Sequence, residues 1–263
     1  MVLTTAAVSG VDGCPAGWIA VTLSQLGPLA PPGPQRPPGW PGLPGPPHRP
    51  GPASPARGRP GVPAVSIVVA AALVDLPLAP VVGIDMPLGL LACGWRDADQ
   101  LARRALGRRG ATVFAIPPRP VWDAPSFAAA NQVCRELTGK GLSVQAWGLR
   151  RKIAEATEYR RRAAARRPPL PLYEVHPELS FAALAGAPLP DSKHTKAGLA
   201  VRRDLLAQAG IALPARVPGA AEDDLLDAAA VAWSARRIAA GQATVLTNPS
   251  QRADDGLEIA VRY

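Results

Sequence analysis

The chain has 263 residues, 48% of them apolar, and a formal net charge of +9, so it can bury one large core or two small ones. No run of about 18 apolar residues is present, which predicts no membrane span. The N-terminus shows no basic region followed by an apolar run and a small-residue cleavage site, which predicts no signal peptide. Cys14, Cys93 and Cys134 fit no close-spaced metal motif, and their odd number argues against a disulfide framework and for a reduced, cytoplasmic protein.

The charge is concentrated. Residues 28–63 hold Arg36, Arg49, Arg57 and Arg59 and no acid, and the remainder carries 25 basic against 20 acidic residues. That balance is compatible with a nucleic-acid partner without demanding one. Arginine outnumbers lysine 25 to 4, a bias that a GC-rich coding sequence produces by itself.

In chain order, residues 3–12 read as a first strand ending at Asp12. Gly13-Cys14-Pro15-Ala16-Gly17 reads as a five-residue turn, and Trp18-Ile19-Ala20-Val21-Thr22-Leu23 as the return strand of a hairpin, with Trp18 a packing residue. Fifteen of the 36 residues in 28–63 are Pro and seven are Gly. Such a segment cannot bury enough surface to offset its ordering entropy, which predicts a disordered or polyproline-like insertion between two strands of a meander. It reads as an inert loop, although Pro44-Gly45-Pro46-Pro47 is also the kind of run that proline-binding modules accept. Residues 64–73 read as a third strand and 74–80 as a short helix or turn. Val81-Val82-Gly83-Ile84 reads as a fourth strand, ending at Asp85 before Pro87, which cannot donate to a sheet ladder.

Beyond it, 97–109 reads as a helix with Leu101, Ala105 and Leu106 on one face, 111–114 as a short extended piece, and 126–138 as a helix. Residues 145–167 read as one basic helix carrying Arg150, Arg151, Lys152, Arg160, Arg161, Arg162, Arg166 and Arg167 against Glu155 and Glu158. Residues 170–176 return to strand; Glu174 and His176 share a face if that segment is extended. A short helix at 180–184, a polar loop at 191–196, a helix at 199–209 and a long helix from Asp223 to about residue 240 follow. The last 20 residues read as a polar loop and a closing strand-like piece at 256–263.

The chemistry lies in the acids. Two apolar strands each end in an aspartate and then break: Val8-Ser9-Gly10-Val11-Asp12-Gly13 and Val81-Val82-Gly83-Ile84-Asp85-Met86-Pro87. Taken singly, each Asp is a favoured turn residue. As a pair they predict two carboxylates side by side at one sheet edge, for which the simplest partner is a divalent ion. Asp223-Asp224-Leu225-Leu226-Asp227 is a third acidic feature. Capping and the helix dipole account for one acid there. The spacings of three and four put Asp224 and Asp227, and Asp223 and Asp227, on a common face, where they repel unless a cation bridges them. The run Ala228-Ala229-Ala230-Val231-Ala232 allows close packing on the sheet, which brings these acids toward Asp12 and Asp85. Glu174 has two readings, a strand-edge salt bridge or a fourth ligand. His176 is a candidate proton shuttle, and Glu178 a weaker accessory. Carboxylates without sulfur suit Mg²⁺ or Mn²⁺, and two such ions about 4 Å apart would clamp a phosphodiester. The basic helix reads either as a solvated face or as the holder of a phosphate backbone.

Gly10-Val11-Asp12-Gly13-Cys14-Pro15-Ala16-Gly17-Trp18, Ile84-Asp85-Met86-Pro87-Leu88-Gly89-Leu90, Glu174-Val175-His176-Pro177-Glu178-Leu179-Ser180-Phe181 and Asp223-Asp224-Leu225-Leu226-Asp227-Ala228 together resemble domain-of-unknown-function family 429. Ser192-Lys193 followed by Gly198 and Arg202 also resembles that family's pattern. The resemblance spans nearly the whole chain except 25–63. It implies a single domain of α/β class, a ribonuclease H-like fold with a mixed five-stranded sheet: an antiparallel meander, then parallel strands, flanked by helices. The first and fourth strands would be neighbours, the last helix would supply a third acid, Asp224 or Asp227, and the protein would be a metal-dependent nuclease. The expected catalytic residues are then Asp12, Asp85, Glu174, Asp224 and Asp227, with Asp12, Asp85, Asp224 and Asp227 as ligands of Mg²⁺ or Mn²⁺. His176, Glu178, Asp223 and Lys193 are accessory, and Arg150, Arg151, Lys152, Arg160 and Arg161 contact DNA or RNA. A second reading is a non-catalytic nucleic-acid-binding or scaffold protein that keeps the fold. A third, phosphoryl transfer to a small molecule, lacks a Gly-rich phosphate loop.

Overall fold

The computed structural model describes residues 7–24, 63–167 and 169–263. Apart from Pro63, the Pro-rich insertion lies outside the described residues, as does the beginning of the expected first strand. The chain forms β1 (Val8–Cys14), β2 (Gly17–Ser24), β3 (Ala64–Ala70), β4 (Val81–Ile84), α1 (Asp97–Leu106), α2 (Arg119–Trp122), α3 (Phe127–Thr138), α4 (Val144–Gly148), α5 (Arg150–Ala165), β5 (Leu172–Val175), α6 (Pro177–Ala185), α7 (Lys196–Gln208), α8 (Glu222–Ala239), β6 (Val245–Arg252) and β7 (Glu258–Arg262). The result is an α/β architecture: one sheet of parallel and antiparallel strands flanked by helices.

The sheet runs in the order β3-β2-β1-β4-β5-β7-β6. β1, β2 and β3 form an antiparallel meander, β4 lies parallel to β1, and β5 parallel to β4. Cys14 pairs with Gly17, so the first hairpin turns through Pro15 and Ala16 alone rather than through five residues. The expected count of five strands is corrected to seven among the described residues, because the C-terminal residues form an antiparallel pair that adds β7 beside β5. Pro249 and the polar residues around it disguise β6 as a loop. An edge strand with a break in register between Thr247 and Arg252 tolerates them. The expected basic helix is two helices, broken at Leu149. Residues 107–112 form a 3₁₀ turn where an extended piece was expected to begin nearby.

Side chains alternate across the sheet, and each face is covered differently. Val8, Cys14, Ile19, Val21 and Leu23 bury against Leu225, Leu226, Ala228, Ala229 and Ala232 of α8. Val11, Trp18, Ala20, Val82 and Ile84 face the other way, onto Ile153 and Ala156 of α5 and the segment containing Leu73, Met86, Leu88 and Leu90. α8 is apolar nearly all round because it lies between the sheet and α6 and α7.

Candidate metal centre

The strand parity that sorts the two cores also selects the acids. Val8 and Cys14 mark the α8 face of β1, so Gly10 and Asp12 lie on that face. Val82 and Ile84 mark the opposite face of β4, so Gly83 and Asp85 share the α8 face. β1 and β4 run parallel, with Val11 opposite Ile84, and the Asp85 N–H donates to the Val11 carbonyl at 2.8 Å. The two aspartates therefore emerge side by side at the carboxyl ends of adjacent strands.

Two glycines let the third acid reach them. A Cβ on Gly10 would stand 2.0 Å from the Ala232 nitrogen and 2.2 Å from the Ala228 carbonyl oxygen. One on Gly83 would stand 2.9 Å from Val231 Cγ1. With hydrogen at both places α8 lies directly on the strands, and its first turns bring Asp227 to the sheet edge. One carboxylate oxygen each from Asp12, Asp85 and Asp227 lies within 4.8 Å of the others. Asp12 and Asp227 are buried, 8% and 2% exposed, and Asp227 Oδ1 has no hydrogen-bond partner among the described residues.

The electrostatics follow from this crowding. Burial above all, then the charges of Asp85 and Asp227, hold the Asp12 carboxyl well above the usual carboxylate range. Burial, then Asp227, pushes Asp85 up to about 8. Asp227 is pushed to about 6 by burial, against the pull of Lys193. Lys193 Nζ stands 2.5 Å from Asp227 Oδ2 and 3.8 Å from Asp223 Oδ2. Burial disfavours that ammonium, but Asp227, Asp85 and Asp12 outweigh it and raise its pKa. Three carboxyls driven toward the neutral form around one cation are short of positive charge.

The other expected residues are distributed as follows. Asp224 is not one of the clustered three: its Oδ2 accepts from the Ala221 N–H at 3.0 Å, which caps α8. Asp223 faces Lys193 and His194 at the rim. Glu174 pairs with Ile84 across β4 and β5, so it points to the face opposite the aspartates. There it accepts from Arg96 at 2.5 Å and from the Leu88 N–H at 2.7 Å. The salt-bridge reading of Glu174 therefore describes its contacts, and neither Glu174, expected to be catalytic, nor Asp224, expected to be a ligand, belongs to the clustered three. Glu178 is buried and pairs with Arg202 at 2.6 Å, with Arg109 at 3.7 Å. His176, between β5 and α6, is half-buried and hydrogen-bonds the Thr112 backbone; desolvation lowers it to about 4, and its Nδ1 has no partner among the described residues.

The basic helix is also corrected. Arg160 is buried and donates to the carbonyls of Leu88 at 2.7 Å and Glu258 at 3.2 Å, so it braces the core and cannot reach a polyanion. Lys152 donates to the carbonyls of Gly17 and Cys14 and covers the Trp18 ring. Arg150 stacks on Trp147, and Arg161 pairs with Glu158; Arg151 is exposed. Sequence reasoning missed Gly10 and Gly83, although Gly10-Val11-Asp12 and Gly83-Ile84-Asp85 repeat the spacing that announces them. It also missed Arg96, which is fully buried between Glu174 and Asp99; nothing local marks that arginine.

A family model described as "Protein of unknown function (DUF429)" matches residues 10–252. No curated protein and no solved structure matches the chain. Among the described residues no helix is long and apolar enough to cross a membrane.

Proposed function

The chain belongs to the DUF429 family, whose description assigns no activity, and from its own site we propose that it is a metal-dependent nuclease hydrolysing phosphodiester bonds. The observation that carries this reading is the triad Asp12, Asp85 and Asp227, gathered within 4.8 Å with one buried oxygen of Asp227 unpartnered. A hard divalent ion, Mg²⁺ or Mn²⁺, fits such an all-oxygen set and relieves its mutual repulsion. Bound there, the ion supplies Lewis acidity toward a phosphoryl oxygen and a nucleophilic water at neutral pH.

The chain's own residues do the rest. Asp12, Asp85 and Asp227 would hold the ion, and Lys193 adds a fixed positive charge beside it. We read the fold as ribonuclease H-like: an antiparallel meander β3-β2-β1 continued by parallel β4 and β5, with acids at the strand ends and one on a helix packed across them, supports that reading. The test is a panel of DNA and RNA substrates with Mg²⁺ or Mn²⁺, comparing the native protein with Asp12→Asn. Metal-dependent cleavage by the native protein alone is expected. Binding of nucleic acid with no cleavage and no response to metal would favour a scaffold role.

A further inference from the structure

We propose that the Lys193 ammonium stands in for a second cation, so that the carboxylate cluster takes one divalent ion and not two. The inference rests on the metal reading above and specifies its stoichiometry. Asp227 is divided between two jobs: Oδ2 is held by Lys193 at 2.5 Å, while Oδ1 is buried and open. A second ion bridging Asp227 would have to displace the ammonium from Oδ2. Charge points the same way: Asp12, Asp85 and Asp227 with the Lys193 ammonium and one divalent ion sum to zero, while Asp223, the further acid 3.8 Å from the ammonium, is partly exposed at the rim and screened by solvent.

The ammonium is also built in. Arg202 is fully buried and donates to the carbonyls of Asp191 at 3.1 Å and Gly198 at 3.0 Å while pairing with Glu178. The Thr195 N–H and hydroxyl both donate to the Ser192 carbonyl, at 3.1 and 2.9 Å. A Cβ on Gly198 would stand 2.0 Å from the Ser192 oxygen, so only glycine lets the loop close this tightly on α7. The loop that carries Lys193 is thus tied on both sides of it, and Lys193 is held over Asp227 by covalent neighbours that a competing ion does not remove.

The experiment is titration of the full chain with Mn²⁺, followed by calorimetry and by the electron paramagnetic resonance signal of free Mn²⁺. One equivalent is expected for the native protein and for Lys193→Arg. Lys193→Met is expected to bind the first ion at least about tenfold more tightly, since a like charge beside it is gone, and to accept a second. Two equivalents in the native protein, or a Lys193→Met titration indistinguishable from native, would overturn the proposal while leaving the metal reading intact. No Mn²⁺ bound by native and Lys193→Met alike would instead remove the metal reading on which the proposal rests. If Lys193→Met does not fold, the native and Lys193→Arg stoichiometries decide: one ion in both supports the proposal, and two in either overturns it.

Discussion

Replacing Asp85 by Asn separates a metal ligand from a turn residue, because the two roles predict opposite signs. The Asp85 carboxylate makes no hydrogen bond or salt bridge with the described residues, and its only bonded group there is the backbone N–H on the Val11 carbonyl, so the amide forfeits no side-chain hydrogen bond. Its pKa lies at about 8, against an ordinary 3.8. At pH 7 without metal the folded protein therefore keeps Asp85 protonated, whereas the unfolded chain ionises it. Binding that proton against the bulk pH costs up to roughly 4 kcal/mol, at about 1.4 kcal/mol for each pH unit between 3.8 and 7. Asn avoids the cost. Because relaxation and coupling to Asp12 and Asp227 absorb part of it, a gain of ~1–3 kcal/mol is expected in EDTA, raising the melting midpoint by roughly 2–10 °C.

The pH dependence follows with a fixed sign. An acid whose folded pKa is raised contributes stability that is fully present below its unfolded pKa and is lost as pH rises through the folded value. In EDTA the native protein should lose stability from about pH 4 to about pH 8, and Asp85→Asn should flatten that decline. Saturating Mg²⁺ should restore the native protein, by about 2.7 kcal/mol at a hundredfold excess over Kd, and the variant by less. Melting curves of both proteins, each in EDTA and in Mg²⁺, read this out. An Asp85→Asn protein that is about 0.5–2 kcal/mol less stable in EDTA, as for a lost turn or cap residue, and that answers Mg²⁺ as the native protein does, would refute the reasoning.

Gly10→Ala should destabilise by about 3 kcal/mol or more in urea melts, because its methyl meets the α8 backbone at 2.0 Å; it should also lower the response to Mg²⁺ by pushing Asp227 away. A change within about 0.5 kcal/mol would show that α8 is free to shift. Glu174→Gln should cost about 3–5 kcal/mol, since it leaves Arg96 buried with a weakened partner, yet leave Mn²⁺ affinity unchanged. Lost affinity at unchanged stability would show that Glu174 is a ligand after all. Replacing residues 25–62 by a four-residue Gly/Ser turn should keep the fold or stabilise it by up to about 2 kcal/mol through a shorter loop closure, because Ser24 and Ala64 already pair across β2 and β3. A lower melting midpoint would show that the replaced segment contributes contacts.

Much of the site is legible because it is written in local pattern. A strand that ends at an aspartate announces where its carboxylate will be, and two such strands suggest a pair. The small residues after Asp227 announce a helix that packs closely. Other expectations failed where the answer depends on partners far away in the chain. Whether Glu174 faces the aspartates depends on which β4 residue it pairs with, and that partner, Ile84, is 90 positions away. Arg160 looks like surface charge until the carbonyls of Leu88 and Glu258 are found around it. Within 223–227 the spacing offers several acids on one face, and only the rotation of α8 on the sheet turns Asp227 inward and leaves Asp224 to cap the helix.

The sequence by itself determined the α/β class, the two strand-end aspartates and the acidic helix start, because alternation, chain breaks and helical spacing are properties of consecutive residues. Tertiary structure alone decided the seven-strand order, the membership of the carboxylate triad and the seat of Lys193 on Asp227. These depend on strand register, on how closely two glycines let a helix approach, and on an arginine that ties down a loop, none of which a stretch of neighbouring residues encodes.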